Sequence, residues 1–250
     1  MIGSLLSARV LVGRLLPGGA AGLMAFGVLG AVPAAAAAAP SWSVMHTPNA
    51  RAQQDQLAGV SCATARACVA VGHSINGAGA SMLLAKTWNG RVWRAESVGV
   101  PRGALSARLD SVSCPSARAC IAIGQYSNLP GISVPLAERW NGRRWAVLPA
   151  PGPGMLSAVS CTSARACTAV GDTGFGGGEL AERWDGSTWV VQPTPGLFRG
   201  ELAGVSCSSA TACTAVGSYL TDDDTHQPLA EAWNGTTWVF QATPMLNDLS

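Results

Sequence analysis

Carboxylates and histidines are the side chains of this 250-residue chain that could support catalysis or metal binding. Asp172, Glu179 and the run Asp222 to Asp224 stand out because they interrupt an internal repeat. A glycoside hydrolase or lyase would need two such carboxylates in one cleft, one as general acid and one as base or nucleophile. The sequence leaves open whether these acids converge.

The histidines and the acidic run match no metal or catalytic motif. His46, His73 and His226 are far apart and belong to no H-E-x-x-H pattern. The oxygens of Asp222 to Asp224 suit Ca²⁺, but the spaced ligands and turn glycine of an EF-hand are missing, which favours a solvated acidic loop. The sequence therefore predicts no catalytic residue, no metal and no cofactor.

Eight cysteines occur as four C-x5-C pairs. Because the pairs repeat, a disulfide within each pair is the simplest connectivity. Zinc ligation is the alternative, but the spacing differs from C-x2-C and no histidine repeats with it. The predicted structural disulfides are Cys62–Cys68, Cys114–Cys120, Cys161–Cys167 and Cys207–Cys213.

The cysteine pairs belong to a repeat that spans residues 57 to 244. The first cysteines lie at 62, 114, 161 and 207, so the spacings are 52, 47 and 46 residues. Each copy contains four short stretches with strand character, and four strands at this period are typical of a propeller blade. We therefore predict an all-β fold, a β-propeller-like array of four four-stranded blades, each with a hairpin disulfide.

A recurring Asn-Gly or Asp-Gly pair predicts the turn between the third and fourth strands. Two-residue loops of this kind form type I′ turns, in which both positions need positive φ. A turn at Asn89-Gly90 places Trp88 opposite Arg91 and Lys86 opposite Trp93. The same register in the second copy places Arg139 opposite Arg144, a like-charge pair that costs stability.

The tryptophans and one acidic position follow the repeat. Alternation puts Leu84, Lys86, Trp88 and Trp93 on one face of the first copy. Eight of the nine tryptophans recur in this way, so we interpret them as packing between blades, with a sugar-stacking platform as the alternative. The recurring acids are expected to lie opposite a tryptophan and to bond within the blade; they are Glu138, Glu182 and Glu231.

The N-terminal segment indicates export. Arg9 and Arg14 precede an apolar stretch from Leu15 to Val32 and an alanine-rich run that ends at Ala39. This order is typical of a secretory signal peptide, whereas Pro17 and Pro33 disfavour a membrane anchor. We predict a secreted, extracellular protein with no membrane span after signal removal, and attachment to the cell envelope is left open.

The repeat and the signal divide the chain into segments. Residues 42–48 resemble a fourth strand, which brings the predicted total to 17 strands. Either the four blades close a ring with an added strand, or the chain belongs to a larger array. The predicted segments are 1–39 (signal peptide), 40–56 (stray strand and linker), 57–101, 102–153, 154–195 and 196–250 (the four repeats, the last with a C-terminal tail).

Composition and charge exclude some classes of protein. Charged residues make up only 12% of the chain, and 30 glycines and 15 prolines disfavour helical bundles. After residue 39 basic and acidic residues are equal in number, so no nucleic-acid partner is predicted. Residues 51–150 nevertheless carry a net charge of +7 and residues 151–250 a net charge of −7. This polarity suggests association with a charged partner or head-to-tail self-association.

The repeat resembles a family of secreted, mostly uncharacterised actinobacterial proteins. The resemblance rests on V-S-C-x5-C-x-A-V-G followed by L-A-E-x-W-N-G-x-x-W, and it implies a propeller-like fold without a known activity. The segment from Asp185 to Trp189 also resembles the Asp-box hairpins of sialidase-like propellers, with one residue fewer between Asp and Gly. Sialidase chemistry is not carried over.

The copies differ most after the second strand, where the loops of a propeller gather at one rim and carry recognition. The candidate ligand rim comprises His73, Tyr126, Asp172, Tyr219, Asp222, Asp223 and Asp224. The sequence thus favours a secreted, non-catalytic binding protein with a glycan or protein ligand. A sialidase-like glycoside hydrolase or lyase and a structural cell-surface protein are the alternatives.

Overall fold

The computed structural model describes residues 44–45, 54–129, 132–149, 151–152, 154–174, 177–197 and 199–243. Residues Met45–Ser250 form one compact unit, and every strand of the described residues lies in it. No helix in the described ranges is long and apolar enough to cross a bilayer. The predicted signal peptide and most of the predicted stray strand at 42–48 lie outside the described residues.

The described residues form sixteen strands in four sheets of four. Blade 1 contains β1 (Gln54–Thr64), β2 (Ala67–Ile75), β3 (Ser81–Trp88) and β4 (Trp93–Glu96). Blade 2 contains β5 (Ser106–Ser116), β6 (Ala119–Leu129), β7 (Ile132–Trp140) and β8 (Trp145–Val147). Blade 3 contains β9 (Met155–Ser163), β10 (Ala166–Asp172), β11 (Glu179–Trp184) and β12 (Trp189–Gln192). Blade 4 contains β13 (Glu201–Ser209), β14 (Ala212–Leu220), β15 (His226–Trp233) and β16 (Trp238–Phe240).

Within every blade the strands pair antiparallel in chain order. Each blade is therefore a local meander, as expected when a repeat of this length folds without partners from elsewhere in the chain. The predicted all-β, propeller-like array of four four-stranded blades is confirmed.

The first hairpin of each blade carries the predicted disulfide. In blade 1, Cys62 pairs directly with Cys68 across a turn at residues 65–66. All four disulfides form within their hairpins, with Cα atoms 3.9 to 4.0 Å apart. The predicted connectivity is confirmed.

The turn between the third and fourth strands differs from the prediction. It contains four residues, Asn89 to Val92, so that Trp88 pairs with Trp93 and not with Arg91. The Asn89 side chain accepts hydrogen bonds from the amides of Arg91 and Val92, at 3.0 Å each. An asparagine side chain that replaces a backbone acceptor in this way stabilises a wider turn. Gly90 has φ of 90°, whereas Asn89 has negative φ, so the type I′ prediction was wrong.

The corrected register changes two pairings. Arg139 lies opposite Ala146, so the predicted Arg139–Arg144 pair was wrong. Glu138 lies opposite Val147, and Glu182 and Glu231 lie opposite Val191 and Phe240, so these acids do not face a tryptophan. The shared face of the tryptophans is unaffected, because residues paired across strands point to the same side. The ring centroids of each tryptophan pair are 5.5 to 5.8 Å apart.

The core lies in the joints between consecutive blades. Val69 and Val71 of blade 1 pack with Leu109, Trp140 and Trp145 of blade 2. Ile121 and Ile123 of blade 2 pack on blade 3 in the same way, and Val170 of blade 3 packs on blade 4. The tryptophans of blades 2 to 4 therefore pack between blades, as predicted.

The four blades do not close into a ring within the described residues. Inner strands β1, β5, β9 and β13 contact one another in that order, and no comparable packing joins blade 4 to blade 1. Val60 of blade 1 is 64% exposed, whereas its counterparts Val112 and Val159 are buried and Val205 is partly buried. Val216 of blade 4 is 51% exposed, whereas its counterparts Val71, Ile123 and Val170 are buried. A four-bladed closed ring, one of the two predicted alternatives, is not what the described residues form.

Candidate functional site

The meander creates two rims with different residues. The turns after the first and third strands meet at one end of each blade, which we call the disulfide rim. It comprises residues 65–66, 89–92, 117–118, 141–144, 164–165, 185–188, 210–211 and 234–237. The loops after the second strands and the linkers between blades meet at the other end, which we call the loop rim.

The loop rim contains the residues predicted from sequence variation. His73, Tyr126, Asp172 and Tyr219 lie near the ends of second strands β2, β6, β10 and β14, and Asp222 to Asp224 lie in the loop at 221–225. The two tyrosines are partly buried and pack against the joints before blades 2 and 4. These residues thus share a rim but are distributed over four blades.

One small cavity opens on the loop rim between blades 1 and 2. Its volume is about 170 Å³, and Arg108, Gln125, Tyr126 and Ser133 line it. Arg108 forms an ion pair with Asp110, with 3.1 Å between Nε and Oδ1. The Gln125 amide, with its oxygen toward Arg108, donates to Ser133 Oγ at 2.9 Å. The polar groups of this cavity therefore bond largely to one another.

Asp172 and Glu179 are directly paired at the end of the β10–β11 hairpin. Asp172 Oδ1 accepts a hydrogen bond from the Gly174 amide at 2.8 Å. Both oxygens of Glu179 accept from the Leu197 amide, at 2.9 and 3.0 Å, and Glu179 is only 5% exposed. These acids hold a loop and a linker in place.

The acidic loop of blade 4 is also internally bonded. Asp223 accepts from the hydroxyls of Thr221 and Thr225, and these bonds lower the pKa of its carboxyl. Asp224 Oδ1 lies 3.1 Å from Arg199 Nη1. Among the described residues no three His, Cys, Asp or Glu side chains are grouped so as to hold a metal ion.

The recurring glutamates are buried at the joints. Glu138, Glu182 and Glu231 are fully buried, and their carboxyl oxygens have no hydrogen-bond partner among the described residues. Loss of hydration raises the pKa of Glu138 to about 8 and that of Glu182 to about 7. The Gly152 amide faces Glu182 and moderates this rise without reaching hydrogen-bond geometry. Burial, with the nearby charge of Glu179, also raises the pKa of Glu231 to about 7. The expectation that these acids bond within their blades was wrong.

Blade 1 has a lysine at the glutamate position. Lys86 is 1% exposed, and its Nζ lies 3.4 Å from Asp55 Oδ2. The buried cation of blade 1 is therefore paired, whereas the buried acids of blades 2 to 4 have no hydrogen-bond partner in the part of the chain that the structure describes.

The larger clefts open on the disulfide rim. A cleft of about 380 Å³ between blades 1 and 2 is lined by Arg66, Arg94 and Arg143 together with Trp88, Trp140 and one acid, Glu96. The Glu96 carboxylate accepts a hydrogen bond from Thr87 Oγ1 at 2.6 Å. A second cleft of about 280 Å³, beside the joint between blades 2 and 3, is lined by Arg118 and Arg139. The turns of this rim contain six arginines and one acid, Asp185.

The turn glycines position these arginines. A Cβ at Gly90 would lie 2.8 Å from Cγ of Arg66, and a Cβ at Gly142 would lie 2.8 Å from Cγ of Arg118. The aliphatic stems therefore pack over the turns, while the guanidinium groups remain at the rim. The sequence signal for this surface is the recurring Ala-Arg-Ala of the first hairpin, which sequence reasoning did not use.

The fold defines a β-propeller-like protein with an arginine-rich rim. No family model and no curated protein matches the chain. Two similar solved structures are YCF48 bound to a D1 peptide and the fucose-specific lectin from Aleuria aurantia. The first is 14% identical to this chain and has a TM-score of 0.48, and the match covers 76% of this chain and 54% of that structure. The second is 11% identical and has a TM-score of 0.43, and the match covers 74% of this chain and 60% of that structure. The chain thus spans between about half and three-fifths of these structures.

Proposed function

We propose that this is a secreted, non-catalytic binding protein and that its ligand is an anionic polysaccharide bound across the disulfide rim. The observation that supports this most is the pair of arginine-lined clefts at successive blade joints. Secretion is supported by the signal-like N-terminus and by four disulfides, which indicate an oxidising compartment.

The arginines favour an anionic ligand. Guanidinium groups present several donors to carboxylate, sulfate or phosphate oxygens and keep their charge at any physiological pH. Arg66 and Arg118 occupy equivalent positions in blades 1 and 2, so their charges recur with the blade. A polymer with regularly spaced charges matches such a surface better than a single small anion does.

The acids do not support an enzyme. Asp172 and Glu179 bond to backbone amides, and Asp223 and Asp224 bond within their loop or to Arg199. Glu138, Glu182 and Glu231 are buried between blades, where a substrate has no access. Two free carboxylates facing one cleft, the requirement stated for a hydrolase or lyase, are not found among the described residues.

The binding proposal can be tested with dextran sulfate, neutral dextran and poly-L-glutamate. We expect the purified protein to bind dextran sulfate, to ignore neutral dextran, and to lose affinity as salt screens the charges. Poly-L-glutamate tests whether the rim prefers an anionic polysaccharide to an anionic polypeptide. If it binds as tightly as dextran sulfate, the rim does not distinguish the two.

Two pairs of variants locate the site. Arg66→Gln and Arg118→Gln keep the stems over the turn glycines but remove the charges, and each should weaken binding about fivefold, or about 1 kcal/mol for an exposed contact. Arg102→Gln and Arg108→Gln, on the loop rim, are the matched control and should have no such effect. Equal losses in both pairs, or binding to neutral dextran, would reject the proposal.

A further inference from the structure

The two ends of the blade array expose surfaces that are buried at the internal joints. Leu109 and Val112 of blade 2 are 0% and 6% exposed, whereas their counterparts in blade 1, Leu57 and Val60, are 39% and 64% exposed. At the other end, the counterpart of buried Val170 is the exposed Val216. Within the described chain, blade 1 therefore lacks a preceding blade and blade 4 lacks a following one.

A hydrogen bond repeats at every internal joint. The amides of Cys114, Cys161 and Cys207 each donate to a serine Oγ on the preceding inner strand. The acceptors are Ser61 at 2.9 Å, Ser113 at 2.9 Å and Ser160 at 3.0 Å, respectively.

The remaining members of this series lie at the open ends. Ser206 of blade 4 has no amide to accept from, and the Cys62 amide of blade 1 has no serine to donate to, within the described ranges. Each end of the array thus presents the half of a joint that the other end lacks.

Blade 4 also has an open recess where an internal blade has a cleft against the next blade. A recess of about 350 Å³ is lined by Ala212, Cys213, Thr214, Ala232 and Trp233. These are the counterparts of Ala67, Cys68, Val69, Thr87 and Trp88, with which blade 1 lines its cleft against blade 2. The recess is half of a joint cleft.

Charge favours contact between the two ends. Residues 54–100, which include blade 1, carry a net charge of +2, and residues 199–243, which include blade 4, carry −4. Attraction between these net charges steers blade 4 of one copy toward blade 1 of another. Repulsion disfavours contact between two copies of blade 1 or two copies of blade 4. The open part of the outward face of blade 1 is its inner strand β1, because the other positions on that face, Ala70, Leu84 and Lys86, are already buried.

We propose that two copies of this chain associate head to tail, with blade 4 of each against β1 of the other. Ser206 then accepts from the amide of the partner's Cys62, and the new joint repeats the inner-strand contact and the serine–amide hydrogen bond of the three internal joints. Two such joints close an eight-bladed ring, which lies within the range of propellers. A heterologous contact that closes has a fixed number of subunits.

The test is the solution mass of the purified protein and of variants at either end. Light scattering coupled to size-exclusion chromatography should give two chains for the parent protein in low salt. Val60→Asp and Val216→Asp should each give one chain, because each removes one half of both joints. Val190→Asp is the matched control, since Val190 lies on outer strand β12 of blade 3, away from both open ends, and is 55% exposed; this change should leave the mass at two chains.

Mixing the two end variants separates this model from non-specific association. The Val60→Asp chain keeps an intact blade 4 and the Val216→Asp chain keeps an intact β1, so an equimolar mixture should form a 1:1 pair with one joint. A parent protein of one chain at all concentrations, end variants that still pair alone, or a mixture that stays monomeric would overturn the proposal. A mass that grows beyond two chains would overturn ring closure. Circular dichroism of every variant excludes unfolding as the cause.

Discussion

Glu138 lies in the joint before blade 2 with both carboxyl oxygens buried and unpartnered within the described chain. Burial raises the pKa of its carboxyl from 4.5 to about 8. Below pH 4.5 the acid is protonated in both the folded and the unfolded chain, so it has no effect on the pH dependence. Between pH 4.5 and about 8 the unfolded chain loses a proton that the folded chain keeps, and the free energy of unfolding falls as pH rises.

Glu138→Gln should remove the part of this pH dependence that Glu138 contributes, whereas the parts from Glu182 and Glu231 remain. We expect the variant to gain at least about 1.4 kcal/mol over the parent between pH 5 and pH 8, the value of one pKa unit. Urea unfolding at the two pH values measures the difference. Glu201→Gln, an exposed change on the loop rim, is the control. If the free energies of unfolding of Glu138→Gln and the parent differ by the same amount at pH 5 and pH 8, the burial argument is contradicted.

At the scale of the element, the turn after each third strand depends on a glycine with positive φ and on the arginine that packs over it. Gly142 has φ of 89°, and an added Cβ would meet Arg118 Cγ at 2.8 Å. Gly142→Ala should therefore lower the free energy of unfolding by about 1 to 3 kcal/mol. Arg118→Ala in the same chain removes the nearest atom, so the double variant should recover part of the loss, while the cost of the backbone conformation remains. Full additivity of the two changes would show that the arginine stem does not constrain the turn.

The first hairpin depends on its disulfide. Closing a loop of this length restricts the unfolded chain by about 2.4 kcal/mol in the loop-entropy model. Cys62→Ala with Cys68→Ala should lower the free energy of unfolding by about that amount, as measured by denaturant unfolding. A loss well below 1 kcal/mol would indicate that the hairpin is held by its strand pairing alone.

Sequence spacing predicted the elements better than their register. The C-x5-C pairs and the period near 47 residues predicted the blades, the strands and all four disulfides, because local pairing in a repeat leaves few alternatives. The turn at Asn89 was mispredicted because an Asn-Gly pair suits both a two-residue loop and a wider turn capped by the asparagine side chain. That error of two residues displaced Glu138 from its true partner.

The candidate site was less predictable than the fold. Variable loops indicated the loop rim, and whether those residues bind a ligand stays a prediction. The repeat does not predict the arginine clefts, because Arg66 and Arg118 follow it and a residue that recurs in every blade is typical of a structural role. Only the topology shows that these arginines meet arginines from the second hairpins at the same end of the blades.

At the scale of the whole molecule, charge separates across the blades as well as along the chain. The sequence shows a basic first half and an acidic second half. The structure adds that the six turn arginines lie on the disulfide rim, whereas Asp172, Glu179 and the run Asp222 to Asp224 lie on the loop rim. Arg102 and Arg108 also lie on the loop rim, but the disulfide rim is the more favourable of the two for a ligand with negative charge.

Hydrogen–deuterium exchange with and without dextran sulfate tests most directly whether ligand binds the disulfide rim. We predict slower exchange in the hairpin turns around residues 65–66, 117–118 and 141–144, and unchanged exchange in the loop at 221–225. Neutral dextran should leave every region unchanged. Slower exchange confined to the loop rim, or no change at the hairpin turns under conditions where dextran sulfate binds, would contradict the account.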